Sequence, residues 1–152
     1  MDFNITTALV GLGILVVCLI PILWLHHTSN QANKKLQTQF KEAATQVGVN
    51  ISQSDTWNKM YSIGIDETSK KLFYTKLNGH GLETTQIDLR NMKSCTIAKE
   101  MDGPNLEKIH LAIQLNNEPQ QKLEFYDSDI LPSVSEEYIL AEKWVLSIKN
   151  VK

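Results

Sequence analysis

Three hydrophobic periodicities follow one another along the chain. From Asn4 to His27 there is no Lys, Arg, Asp or Glu, and thirteen residues between Ile5 and Leu25 are Leu, Ile or Val. At about 1.5 Å rise per residue, a helix over 5–25 matches the roughly 30 Å hydrocarbon core of a bilayer. In "TSNQANKKLQTQFKEAATQVGV" the apolar positions Leu36, Phe40, Ala43 or Ala44, and Val47 recur at helical spacing, and Gly48 stands where a helix would stop. Beyond Gly48 the period falls to two. Tyr61, Ile63 and Ile65 share a face of "YSIGID", and "LFYTKL" follows the turn "ETSKK". After the turn "NGHG", Thr85, Ile87 and Leu89 alternate; Cys95, Ile97 and Met101 fall on one side of "KSCTIAKEM". Past "DGPN", Ile109, Leu111, Ile113 and Leu115 oppose His110, Ala112 and Gln114, and in "KLEFYD" Leu123 and Phe125 point inward. Six such strands predict an antiparallel meander that curls around one core into a half-barrel or small barrel. Past Pro132, Ser133 and Glu136 form a capping-box pattern. Val134, Tyr138, Ala141, Val145 and Ile148, with Trp144 beside them, then predict a C-terminal helix over the open end of the meander.

The expected organisation is α+β: a short exterior tail at 1–4, a transmembrane helix at 5–25, a juxtamembrane helical linker at 26–50 and a β domain with its C-terminal helix at 51–152. The linker helix is expected to pack on the domain or on a copy of itself. A cleaved signal would need a basic leader, a shorter apolar run and a small-residue cleavage site, whereas bulky Trp24, Leu25, His26 and His27 stand where this run ends. Trp24 and the two histidines suit the interface where a helix leaves lipid. Lys34, Lys35 and Lys41 follow the helix and only Asp2 precedes it, so the positive-inside rule puts the N-terminus outside and the domain in the cytoplasm at an inner membrane. The sequon Asn50-Ile51-Ser52 would then meet no glycosylation machinery.

Composition narrows the chemistry. The chain has 15 basic and 17 acidic residues, a formal charge of −2, and no basic block. That argues against a nucleic-acid partner, whose phosphates call for clustered Lys and Arg. Cys18 lies in the apolar run and Cys95 in a strand, which speaks against a disulfide; Cys95 reads as a small buried hydrophobe. His26, His27, His80 and His110 lack the close ligand spacing of a metal site, His110 being placed on the outward side of its strand. "DSD" at Asp127 to Asp129 does not continue as a calcium loop, and "GHG" is not a dinucleotide fingerprint. Glu136 and Glu137 sit where a helix first turn favours acids. No catalytic residue, cofactor, metal or small-molecule substrate is indicated, and a non-enzymatic protein is expected.

A curled antiparallel sheet capped by one C-terminal helix resembles the pleckstrin-homology-like fold. The stretches "IGIDETSKKLFY", "IDLRNMKSC", "LEFYD" and "AEKW" are also similar to those of small uncharacterised bacterial single-pass membrane proteins. The pattern shows six strands where the fold has seven, with room for another near Ile51 to Trp57. The resemblance implies a fold and a membrane address. Lipid-binding members carry basic residues on the first hairpin; here Lys70 and Lys71 lie in that turn, beside Asp66 and Glu67. The functional expectation is a membrane-anchored adaptor that binds a protein partner through a strand edge or the groove beside the C-terminal helix. The alternative is contact of Lys34, Lys35, Lys41, Lys70 and Lys71 with anionic lipid headgroups. A pilin-like subunit shares the outline, but the basic leader and early acidic residue of pilin precursors do not appear.

Overall fold

The computed structural model describes residues 31–151 of the chain. The apolar run at 5–25, with the anchor, orientation and leader expectations attached to it, lies outside the described residues. Among the described residues no helix is long and apolar enough to cross a membrane.

Seven strands run β1 (Gln53–Trp57), β2 (Tyr61–Asp66), β3 (Lys71–Asn78), β4 (Gly81–Asp88), β5 (Met92–Asp102), β6 (Asn105–Leu115) and β7 (Gln121–Asp127). Residues 31–46 form helix α1 as far as it is described, and Glu137–Val151 form helix α2. The meander does not close into a barrel. It splits into an antiparallel four-stranded sheet, β1-β2-β3-β4, and an antiparallel three-stranded sheet, β5-β6-β7. The break comes at Leu89–Asn91, a 3-10 turn that ends β4 before it can pair with β5. Asp88 caps this turn by accepting from the Arg90 amide at 3.0 Å, and Leu89 N–H turns aside to the Lys70 carbonyl at 2.8 Å. β1 fills the place left open near Ile51 to Trp57.

The inner faces of both sheets make one core. Tyr61, Ile63, Ile65, Leu72 and Ile87 meet Ile109, Leu111, Ile113, Leu123 and Phe125, all with almost no exposure. Trp57 stacks on Phe125 with ring centroids 4.6 Å apart and donates its indole N–H to the Phe125 carbonyl at 3.1 Å. Ala141, Trp144 and Ile148 bring one face of α2 into the same core, and Trp144 Nε1 donates to Asp55 Oδ2 on β1 at 2.9 Å. The apolar stripe is therefore centred on Trp144. Val134 lies before the helix and is exposed, and Tyr138 and Val145 are only partly buried. The capping box at Ser133 and Glu136 is replaced by a shorter arrangement: Ser135 N–H donates to Glu137 Oε2 at 2.6 Å, and Asn58 Nδ2 to Glu137 Oε1 at 2.9 Å.

α1 packs on the outer face of the four-stranded sheet. Phe40 and Ala44 join Val49 and Phe73 in a second buried cluster, with the Phe40 and Phe73 rings 5.4 Å apart. Gly64 opposite Phe73 permits this approach: a Cβ there would stand 2.9 Å from both Phe40 Cζ and Ile51 Cγ2. Val47 was expected on the apolar face, but the helix has ended by then; Gly48 turns the chain at φ 72° and Val49 takes the buried position. Met101 is likewise exposed instead of inward, because a register shift between Glu100 and Met101 interrupts the alternation of β5.

Two hydrogen bonds fix the direction of α1. Lys59 N–H, in the β1–β2 turn, donates to Asn33 Oδ1 at 3.1 Å. At the other end Asn50 N–H donates to Asp66 Oδ2 at 2.9 Å, beside the β2–β3 turn. α1 thus runs the same way as β2.

Candidate functional site: the groove between strand β5 and helix α2

β5 pairs with β6 alone, so among the described residues its outer edge carries no strand. An edge of this kind presents backbone donors and acceptors on one side. α2 lies alongside it. Near the start of α2 the gap is closed by Lys99, whose ammonium sits 4.0 Å from the Tyr138 ring centroid. Further along, the two elements part to leave an open groove of about 430 Å³, lined by Cys95, Thr96, Ile97, Glu142, Val145, Leu146 and Lys149. Its floor is apolar: Cys95 is buried, Ile97 and Val145 are partly buried, and Leu146 stands 63% exposed on the helix wall. Leu146 thus stands as a large, exposed aliphatic side chain beside a free strand edge.

The thiol on the groove floor is a weak nucleophile. Burial pushes the Cys95 thiol up to about 11, only partly offset by the charge of Lys149, so the thiolate is scarce at neutral pH. Glu142 and Lys149 offer one charge of each sign among apolar walls. That chemistry suits an extended segment lying along β5 with an apolar side chain set against Ile97 and Leu146.

A second polar cluster fills the seam between the sheets. Glu124 on β7 accepts from Tyr61 OH and from Lys76 Nζ, both at 2.6 Å, while Tyr74 OH donates to the Glu124 carbonyl at 2.7 Å. Desolvation, then the bond and charge of Glu124, push the Tyr61 phenol far above its ordinary value; burial does the same to Tyr74. Each donor faces an acceptor, so the cluster ties the sheets together. His110 lies on the outer face of β6, but it is buried to 6% exposure, not open to solvent. Its Nδ1 is 3.7 Å from Glu100, and desolvation and Lys122 hold its pKa down.

The five lysines singled out from the sequence do not form one patch. Lys34, Lys35 and Lys41 are exposed on α1, the first two beside the β1–β2 turn end. Lys70 and Lys71 are half-buried at the opposite end of β2, about 17 Å away by strand rise. Lys70 donates its ammonium to the Val151 carbonyl and closes the C-terminus of α2. Lys71 lines a cleft of about 390 Å³ with Gln86, Asp88, Glu118 and Gln121. Among the described residues no three His, Cys, Asp or Glu side chains come together as a metal site would require.

The chain matches no family model, no curated protein and no solved structure.

Proposed function

We propose that the protein is a non-enzymatic binding module tethered to the inner membrane, with its domain on the cytoplasmic side, and that it captures a partner protein through the β5–α2 groove. The observation that carries this reading is the groove itself: an unpaired strand edge beside apolar Ile97, Val145 and the 63% exposed Leu146. Backbone pairing along β5 supplies affinity to an extended segment, and the pocket between Ile97 and Leu146 selects an apolar side chain. The anchor rests on the uncharged run at 5–25, and the orientation on Lys34, Lys35 and Lys41. A four-stranded sheet, a three-stranded sheet and one C-terminal helix also support the likeness to the pleckstrin-homology-like fold.

The test is crosslinking and capture in mild detergent from cells expressing the native chain, a chain whose 5–25 segment is replaced by an unrelated membrane helix, and Leu146→Glu. Leu146 makes little packing, so this change leaves the thermal midpoint nearly unaltered. The expected result is the same partner with the first two chains and its loss with Leu146→Glu. Capture undiminished by Leu146→Glu would remove the groove from the account.

A further inference from the structure

Because α1 runs parallel to β2, the chain enters the domain at one defined end. There the β1–β2 turn meets α1 through the Lys59–Asn33 bond, and meets the start of α2 through the Asn58–Glu137 bond. The β3–β4 turn at Gly79 and His80 lies at this end too, since Tyr61 pairs with Lys76 and Leu77 N–H donates to the Met60 carbonyl. Exposed apolar side chains gather here. Leu77 and Val134 are each 36% exposed, and Ile139, in the first turn of α2, is 67% exposed. Lys34, Lys35 and Lys59 are exposed around them.

We propose that this end of the domain docks on the bilayer, with Leu77, Val134 and Ile139 in the headgroup region and Lys34, Lys35 and Lys59 against anionic phosphates. The inference rests on reading 5–25 as an anchor. The described part of α1 begins at this face, and the eight residues 26–33 between Leu25 and Lys34 span at most about 30 Å, so an anchor at 5–25 tethers this end of the domain first. Glu83 and Glu136 are also exposed here, so attraction comes from apolar insertion and the three lysines together, not from a uniformly basic surface. A side-on pose, with α1 lying flat on the lipid, is disfavoured by α1 itself. Its exposed positions, among them Lys34, Thr38, Gln39, Glu42 and Gln46, include no apolar side chain to insert. The end-on pose lifts Lys70 and Lys71 away from the headgroups by the length of β2. It also leaves the β5–α2 groove facing sideways, open to a partner.

The experiment uses the full chain carrying Cys18→Ser, reconstituted in vesicles of phosphatidylcholine and phosphatidylglycerol. A fluorophore is attached at His80→Cys, Gln39→Cys or Thr68→Cys in turn, and quenched by headgroup-attached nitroxide lipid. Buried Cys95 stays unlabelled in the folded protein. The expected result is loss of most of the fluorescence at position 80 and little at 39 or 68, with the loss at 80 relieved by Leu77→Glu combined with Val134→Glu. Equal or greater quenching at 39 or 68, or no relief by the double change, would overturn the proposal. Alkaline carbonate extraction separates the two readings. A chain released from the membrane refutes the anchor and the docking together, whereas an integral chain without quenching at 80 refutes the docking alone.

Discussion

Replacing Gly64 with alanine is the sharpest test of how α1 is held. The added Cβ would stand 2.9 Å from Phe40 Cζ, 2.9 Å from Ile51 Cγ2 and 3.0 Å from the Gln53 carbonyl oxygen. Carbon atoms in contact prefer about 3.5–4.0 Å, so α1, the Ile51 segment and the edge of β1 must all give way. Overpacking of this kind costs about 1–3 kcal/mol. Against it, alanine restricts the unfolded chain and recovers about 0.4–1 kcal/mol, since Gly64 does not occupy a positive-φ conformation. The net expectation is a loss of about 1–2 kcal/mol, which for a domain of this size lowers Tm by roughly 4–8 °C. The assay is thermal unfolding of the full chain in mild detergent, followed by near-ultraviolet circular dichroism. Phe40→Leu shortens the ring that meets the new methyl, so the double variant should lose less than the two single losses combined. A Gly64→Ala protein within about 0.5 kcal/mol of the parent would show that α1 does not sit on β2, and the direction assigned to α1 would fall with it.

Trp144→Ala should cost about 3–5 kcal/mol, because it empties a fully buried site and leaves Asp55 without its indole donor; a loss under about 1 kcal/mol would mean that α2 does not seal the core. Asp66 accepts from the amides of Ser69, Asn50 and Thr68, the Ser69 bond leading, and these hold its pKa down at about 2. Its folded value is below the unfolded one, so its contribution is full above the usual carboxylate range and is lost as pH falls through about 2. The Tm gap between parent and Asp66→Asn should therefore be widest near neutrality and shrink in acid, and a gap independent of pH would contradict this. Glu124→Ala should destabilise by about 2–3 kcal/mol in chemical denaturation, since it orphans the Tyr61 hydroxyl and the Lys76 ammonium at the sheet seam. In a Cys18→Ser chain, Cys95 should react with a disulfide reagent only as fast as the domain opens, and rapid native-state labelling would show the core to be looser than described.

Much of the fold was legible because apolar residues alternate along the strands with a period of two, even where the intervening residues of β2 and β6 are buried as well. Tyr61, Ile63 and Ile65, the four apolar residues of β6, and Leu123 with Phe125 all lie in the core as their alternation predicts. β1 was harder to see because "QSDTW" carries a single buried apolar side chain, Trp57, and gains its place by pairing with β2. The split into two sheets was hidden for a different reason. The turn at Leu89–Asn91 contains neither Gly nor Pro, and its stop signal is the side chain of Asp88 folding back on Arg90. The close approach of α1 at Gly64 was not read from the sequence, because its partners Phe40 and Ile51 come from elements separate from β2. The groove could not be read in advance because Cys95 to Ile97 and Glu142 to Lys149 are distant in sequence and meet only once α2 docks through Trp144. The Tyr61–Lys76–Glu124 cluster is non-local in the same way. That Lys34 and Lys35 lie at one end of β2 and Lys70 and Lys71 at the other could not be read from sequence spacing, because it depends on how α1 docks along β2.

The most direct test of partner capture through the groove is site-specific photo-crosslinking in living cells from a photoreactive residue at Thr96, with one at Glu67 on the far turn as the reference. Both positions are exposed, so both probes are accessible. The account predicts a discrete protein adduct from position 96 that is absent from position 67 and disappears when Leu146→Glu is added. The same adducts from both positions, or an adduct at 96 indifferent to Leu146→Glu, would contradict it.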